Sequence, residues 1–141
     1  MKRTMDETIR PKLAGWKLRG PADPALVAEV VRRLDIDLPN DYRTFLAEAN
    51  GGEGFVGDGG FVRLWPIDEI ESSNEELGVS EFAPDLVFFG TDGGGEGYAF
   101  DIRARPHRVV QVPLIGMKDS ETWIDQGATL VDLLDRVGKQ R

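Results

Sequence analysis

Three stretches carry residue types that could do chemistry. They are the glycine-spaced run GEGFVG at residues 52–57, the loop TDGGGE at residues 91–96, and a lone histidine, His107, in ARPHRV. A dinucleotide site needs a strand running into its glycines and a helix leaving them, because the pyrophosphate rests on the helix N-terminus. Around residues 52–57 the order is reversed: the preceding pattern is helical and the following one extended. Gly90 and Gly95 have the spacing of a phosphate-cradling loop, but Glu96 stands where a lysine must face phosphate, and a carboxylate there repels the ligand. A calcium loop begun at Asp92 would place its glycine at Gly97. Its third position would be Gly94 and its twelfth Arg103, which leaves too few oxygen ligands. His107, with arginines close by in the sequence, reads as an exposed turn residue rather than a general base. With no cysteine in the chain, disulfides, thiolate metal sites and cysteine nucleophiles are excluded. Carboxylate pairs such as Asp92 with Glu96 or Asp68 with Glu69 are plentiful, and nothing in the sequence marks one for a raised pKa. Neither a cofactor nor an enzymatic activity is expected.

Charge says more than any motif. The formal net charge is -8 over 141 residues. Residues 1–20 hold six bases and two acids, so the remainder carries -12. Between residues 50 and 102 there are twelve acids and a single base, Arg63. Such a distribution repels nucleic acid and anionic membrane and speeds encounter with a basic partner in a salt-dependent way. The bases are dispersed and the aromatics lie among acids, which is the opposite of a nucleic-acid patch. No apolar run approaches the ~18 residues of a membrane span, and the N-terminal stretch lacks the apolar core of a signal peptide. The expected location is cytoplasmic.

The elements that must position these residues follow from period and punctuation. Asp23 is a natural cap, Pro24 suits a first helical position, and Leu26, Val27, Val30, Val31 and Leu34 share a face, so a helix ending near Asp35 is predicted. A second helix starts with Asn40 or Asp41 as its cap, buries Tyr42, Phe45, Leu46 and Ala49, and stops at Asn50-Gly51-Gly52. GFVGDGGFVRLWP reads as two short strands, IDEIESSNEEL as a short helix or an irregular turn, and DLVFFG with GYAFDI as a hairpin around the glycine loop. RVVQVP is a further strand, and Thr129 caps a last helix with Leu130, Leu133, Leu134 and Val137 in one stripe. The predicted class is α+β, a single domain whose mixed, mainly antiparallel sheet packs against helices. Residues 1–20 are expected to be an N-terminal arm or an extra helix, and residues 21–141 the domain.

LPNDYRTFLAEANGG at residues 38–52, LWPIDEI at 64–70, FFGTDGGGEGYAFDI at 88–102 and the capped ATLVDLLDRV resemble, in sequence and order, the SMI1/KNR4 family, also called the SUKH superfamily. The resemblance runs from about residue 24 to residue 137. It implies an α+β fold without a cofactor and, in bacteria, an immunity protein that binds and neutralises a toxin, often a nuclease. Other members resemble regulators or adaptors. The chain departs from the family pattern at Val31, where an acid is common, and at Asp35, where a glycine is usual.

Family and charge together suggest a non-enzymatic domain whose acidic surface covers the basic substrate groove of a toxin. Turns between short strands gather at one end of a sheet, so the residues expected at the partner surface are Glu53, Asp58, Trp65, Asp92 and Glu96. The competing expectations are a housekeeping adaptor, which would bind a host protein, and a small-ligand protein or enzyme, which would need a deep pocket with a perturbed carboxylate. The glycine loop is expected to be first a hairpin turn and second an acidic lip.

Overall fold

A computed structural model describes residues 7–139. Helix α1 (Pro24–Leu34) begins as its sequence dictates, with the Asp23 carboxylate accepting the N–H of Ala25 at 2.9 Å. It ends at Asp35, whose φ of 52° is the one positive value outside glycine among the described residues. Helix α2 (Asn40–Glu48) follows, then β2 (Gly52–Phe55), β3 (Phe61–Leu64), α3 (Ile67–Leu77), α4 (Val79–Phe82), β4 (Leu86–Thr91), β5 (Glu96–Asp101) and β6 (Arg108–Pro113). Two-residue strands close the sheet at its edges, β1 (Lys17–Leu18) beside β2 and β7 (Ile124–Asp125) beside β6, and α5 (Leu130–Gly138) ends the chain. The spatial order of the seven strands is their chain order, and every pairing is antiparallel. This is a single α+β domain: short turns join β2 to β3, β4 to β5 and β5 to β6, while α1–α2 and α3–α4 link β1 to β2 and β3 to β4.

The sheet buries both faces, unequally. On one face Val62, Leu64, Tyr98, Phe100 and Val109 pack with Tyr42, Phe45 and Leu46 of α2, Val30 of α1 and the Leu130, Leu133, Leu134 and Val137 stripe of α5. A register shift between Phe88 and Gly90 turns Phe89 into this layer, where its ring stacks on Phe100 at 4.3 Å and lies 5.4 Å from Tyr42. Each such fully buried aromatic contributes about 1.5–3 kcal/mol of hydrophobic stabilisation. On the other face Phe88, Ala99, Val110 and Val112 are covered by Val79 and Ala83 of the α4 region and by Met117, with Leu114 and Trp123 alongside. That cover extends over β4–β6. By register, the same side of β1–β3 carries Lys17, Glu53, Phe55, Phe61 and Arg63, of which Phe55 is 63% exposed.

One alternative is settled and other expectations need correction. IDEIESSNEEL takes the helical alternative and not the irregular one: all 11 residues form α3, sealed by Asn74, whose side chain bonds Ile70, and both the N–H and the carbonyl of Phe88. Neither Asn40 nor Asp41 caps α2, whose N-cap position is Pro39. The Asp41 carboxylate instead reaches across to α5, accepting the N–H groups of Leu130 and Val131 at 3.0 and 2.9 Å. His107 is 3% exposed, not a surface residue. Its Nε2 accepts the N–H of Asp37 at 3.1 Å and its Nδ1–H donates to the Ala104 carbonyl at 2.6 Å, so the ring pins the β5–β6 turn to the α1–α2 link. The neighbouring Arg105, pairing with Asp35 and Asp37, points outward while the ring turns in.

Residues 7–20 pack onto the sheet. Ile9, Leu13 and Trp16 belong to the larger core cluster, and the Trp16 indole N–H donates to the Phe55 carbonyl at 3.0 Å. Residues 1–6 of the expected arm lie outside the described residues.

Candidate functional site

The five residues expected at a partner surface occupy three settings. Glu53 and Trp65 share one hollow of about 290 Å3, in which Glu53 pairs with Arg63 at 3.3 Å and Trp65 stands half-buried against both core clusters. Asp58 is exposed at the β2–β3 turn. Asp92 and Glu96 lie at the β4–β5 loop, and register sets Glu96 on the same side as Tyr98, opposite to Glu53. Asp92 is committed to its own loop: Oδ1 accepts the N–H groups of Gly94 at 2.8 Å and Glu96 at 3.2 Å. Gly93 supplies the left-handed turn, with φ of 80°. TDGGGE is therefore an internally capped hairpin loop. Glu96 is half-buried and accepts from Gln111 Nε2 at 3.2 Å, while Gln111 accepts from Gln126 at 2.9 Å.

The hairpin ends meet at one edge of the molecule. Phe61 at the start of β3 touches Gly93 and packs edge-on against Phe55, with ring centroids 5.3 Å apart and the Arg63 guanidinium 5.7 Å from the Phe61 centroid. Phe55 and Phe61 were not singled out in the sequence, and Arg63 only as the lone base among acids. Period-2 alternation in GEGFVG and FVRL sets them on one side, but which side is left uncovered depends on α4 and the 114–123 segment packing farther along.

Folding also redistributes charge. Bases from the N-terminal third reach acids far along the chain: Arg19 pairs with Glu69, Arg33 with Glu71, Arg10 with Glu48. Asp68 accepts from Asn50 at 3.0 Å. Arg103 grips Asp101 through three side-chain hydrogen bonds of 2.7–3.2 Å; burial opposes ionisation there, but these bonds prevail and hold the carboxyl below the usual range. Among the described residues, the side chains of Glu7, Asp58, Glu75, Glu76, Glu81, Asp85 and Glu121 have no hydrogen bond or ion pair. The segregation visible in the sequence is thus partly cancelled, and the uncompensated negative charge concentrates at the β2–β3 turn and along α3–α4.

No group of three or more His, Cys, Asp or Glu side chains among the described residues is placed to hold a metal ion. No helix among them is long and apolar enough to cross a membrane. A groove of about 420 Å3 lies between α1 and α2, walled by Val27, Val31, Leu46 and Ala47 with Arg32 and Arg43 at its rim.

The domain is an antiparallel meander with α1, α2 and α5 on one face and α4 over part of the other, most of its free acids lying at the β2–β3 turn and along α3–α4. The SMI1/KNR4 family (SUKH-1) pattern matches residues 21–136, and the chain belongs to this family. It is 30% identical over 90 residues to YnaB of Bacillus subtilis (strain 168), an uncharacterized protein, over 64% of this chain. The match spans 53%, about half, of that relative's length.

Proposed function

We propose that this chain is a non-enzymatic protein-binding domain, a bacterial immunity protein that neutralises a basic toxin, with a nuclease as the toxin class that fits best. The observation that carries the reading is the disposition of charge. The fold spends most of its exposed bases on internal ion pairs and leaves Asp58, Glu75, Glu76 and Glu81 uncompensated in a protein of net charge -8. A nuclease must hold phosphate and so presents a basic groove. An acidic protein seated over that groove blocks substrate without chemistry, its charges setting the encounter rate and its apolar contacts the lifetime. Membership of the SMI1/KNR4 family supports the same reading.

The test is co-expression of the full chain with each toxin domain encoded beside its gene. Rescue of growth with one toxin, lost when Glu75, Glu76 and Glu81 are together changed to lysine, is expected. Growth arrest by every such toxin regardless of the chain would overturn the reading. Lysine at Asp92 is not a fair test, because that change also removes the acceptor for two loop N–H groups.

A further inference from the structure

Two large apolar side chains stand out of the acidic region and line the same hollow. Ile115, in the segment after β6, is 95% exposed, and Phe82, the last residue of α4, is 48% exposed. With Leu77, Leu114, Met117 and Lys118 they bound a cleft of about 320 Å3. Scattered exposed apolar residues need no explanation, but a pair flanking one cleft does. The volume lies at the small end of ligand pockets, about 300–1,000 Å3, and suits a side chain or two from a partner better than a cofactor.

The Phe82 ring and the backbone that carries Ile115 are held in place before any partner arrives. Gly78 takes φ of 72° to turn α3 into α4, and the Phe82 ring lies directly over it, where a β-carbon would approach the ring to 3.1 Å. The loop bearing Ile115 is fixed on both sides, by Leu114 N–H donating to the Gly95 carbonyl at 2.9 Å and Asp119 N–H to the Gly116 carbonyl at 3.2 Å. Little ordering is left to be done on binding.

Acids outnumber bases in the segments that carry the cleft, although the one charged residue lining it is Lys118. Residues 75–85 carry Glu75, Glu76, Glu81 and Asp85 and no base. Asp85 has a basic neighbour, Arg103, acting through space, and Glu75 lines one hollow with Arg33, while neither is in an ion pair. In the 114–121 segment Lys118 is outnumbered by Asp119 and Glu121. The aromatic pair Phe55 and Phe61 lacks this bias, since Lys17 and Arg63 lie on its side of the sheet beside Glu53. A second copy of the chain is a poor occupant, because a two-fold contact would set the α3–α4 acids against themselves.

We infer that the Phe82–Ile115 cleft is a docking site for a basic protein segment carrying an aliphatic or aromatic side chain flanked by lysines or arginines. This deepens the protein-binding reading and rests on it, but it does not require the partner to be a toxin.

The probe is a phage-displayed library of random 12-residue peptides panned on the immobilised full chain. Enriched peptides are then measured in solution against wild type, Ile115→Ser and Phe82→Ser. The expected result is enrichment of peptides pairing an apolar residue with Lys or Arg, with affinity weakened at least tenfold by each substitution and again by 0.5 M salt. Enrichment of peptides without bases, binding indifferent to both substitutions, or no enrichment would overturn the assignment. So would wild-type self-association that Ile115→Ser abolishes, with a second copy then the occupant. The mostly exposed Ile115 makes its variant a test of the surface rather than of folding. Toxin rescue reports separately on the proposed function, so either result can fail alone.

Discussion

Substituting Asp41 by alanine should detach two helices from one another. The first three N–H groups of helix α5 lie ahead of its own hydrogen-bond ladder, which begins at Leu133, and each has a distinct acceptor. Leu130 and Val131 donate to the two Asp41 carboxylate oxygens at 3.0 and 2.9 Å, Asp132 to Thr129 Oγ1 at 3.1 Å, and Leu133 to the Thr129 carbonyl at 3.3 Å. Alanine leaves two part-buried donors without partners and removes a negative charge from the positive end of α5. A hydrogen bond to a charged group is worth about 1.5–3 kcal/mol, so a loss of about 3 kcal/mol is expected for the pair. For a domain of this size that is a fall in Tm of about 6–12 °C. Urea and thermal unfolding followed by circular dichroism would measure it. Asn40→Ala is the control, since the exposed Asn40 side chain makes no hydrogen bond here, and it should change stability by less than about 0.5 kcal/mol. A cost below 1 kcal/mol for Asp41→Ala, or a larger one for Asn40→Ala, would refute the cross-helix cap and restore a conventional cap on α2.

The Tyr42 hydroxyl is fully buried without a hydrogen-bond partner, so Tyr42→Phe should be neutral or stabilising by up to about 2 kcal/mol; destabilisation in urea titration would reveal a hidden partner. Asp35→Gly should raise stability by about 0.5–1 kcal/mol, because a left-handed residue with a β-carbon is strained; an unchanged or lower urea midpoint would show that the Arg105 contacts matter more. Acid should destabilise the fold. Hydrogen bonding by Arg108 lowers Asp125, and the Ala128 N–H, against some opposing burial, lowers Asp132. Both folded values lie below the unfolded one, so their stabilisation is complete above the ordinary value of 3.8 and is lost as pH falls through the folded values. Asp132→Asn should flatten the decline of Tm below pH 4, and an unaltered slope would contradict the assignment.

Legibility in the sequence followed locality. The Asp23-Pro24 start of α1, the leucine stripe of α5 and the β4–β5 hairpin all depend on residues within one or two turns, and each formed where its pattern placed it. The strands β1 and β7 have two residues each and exist only because β2 and β6 offer them an edge, which no local period announces. His107 and Asp41 act on chain segments 70 and 89 residues away, so their residue types suggested a turn and a local cap instead. Acidity of the candidate surface could be counted from the sequence. Which acids would be quenched could not, because Arg33 on α1 and Arg19 just after β1 find Glu71 and Glu69 only once those segments pack beside α3.

The most direct trial of the immunity reading is a titration of the purified chain into a nuclease toxin encoded beside its gene, with nucleic-acid cleavage as the readout at 0.05 and 0.5 M salt. Loss of cleavage at one chain per toxin, with weaker protection at the higher salt, is the predicted result. Undiminished cleavage by each such nuclease at both salt concentrations would contradict it.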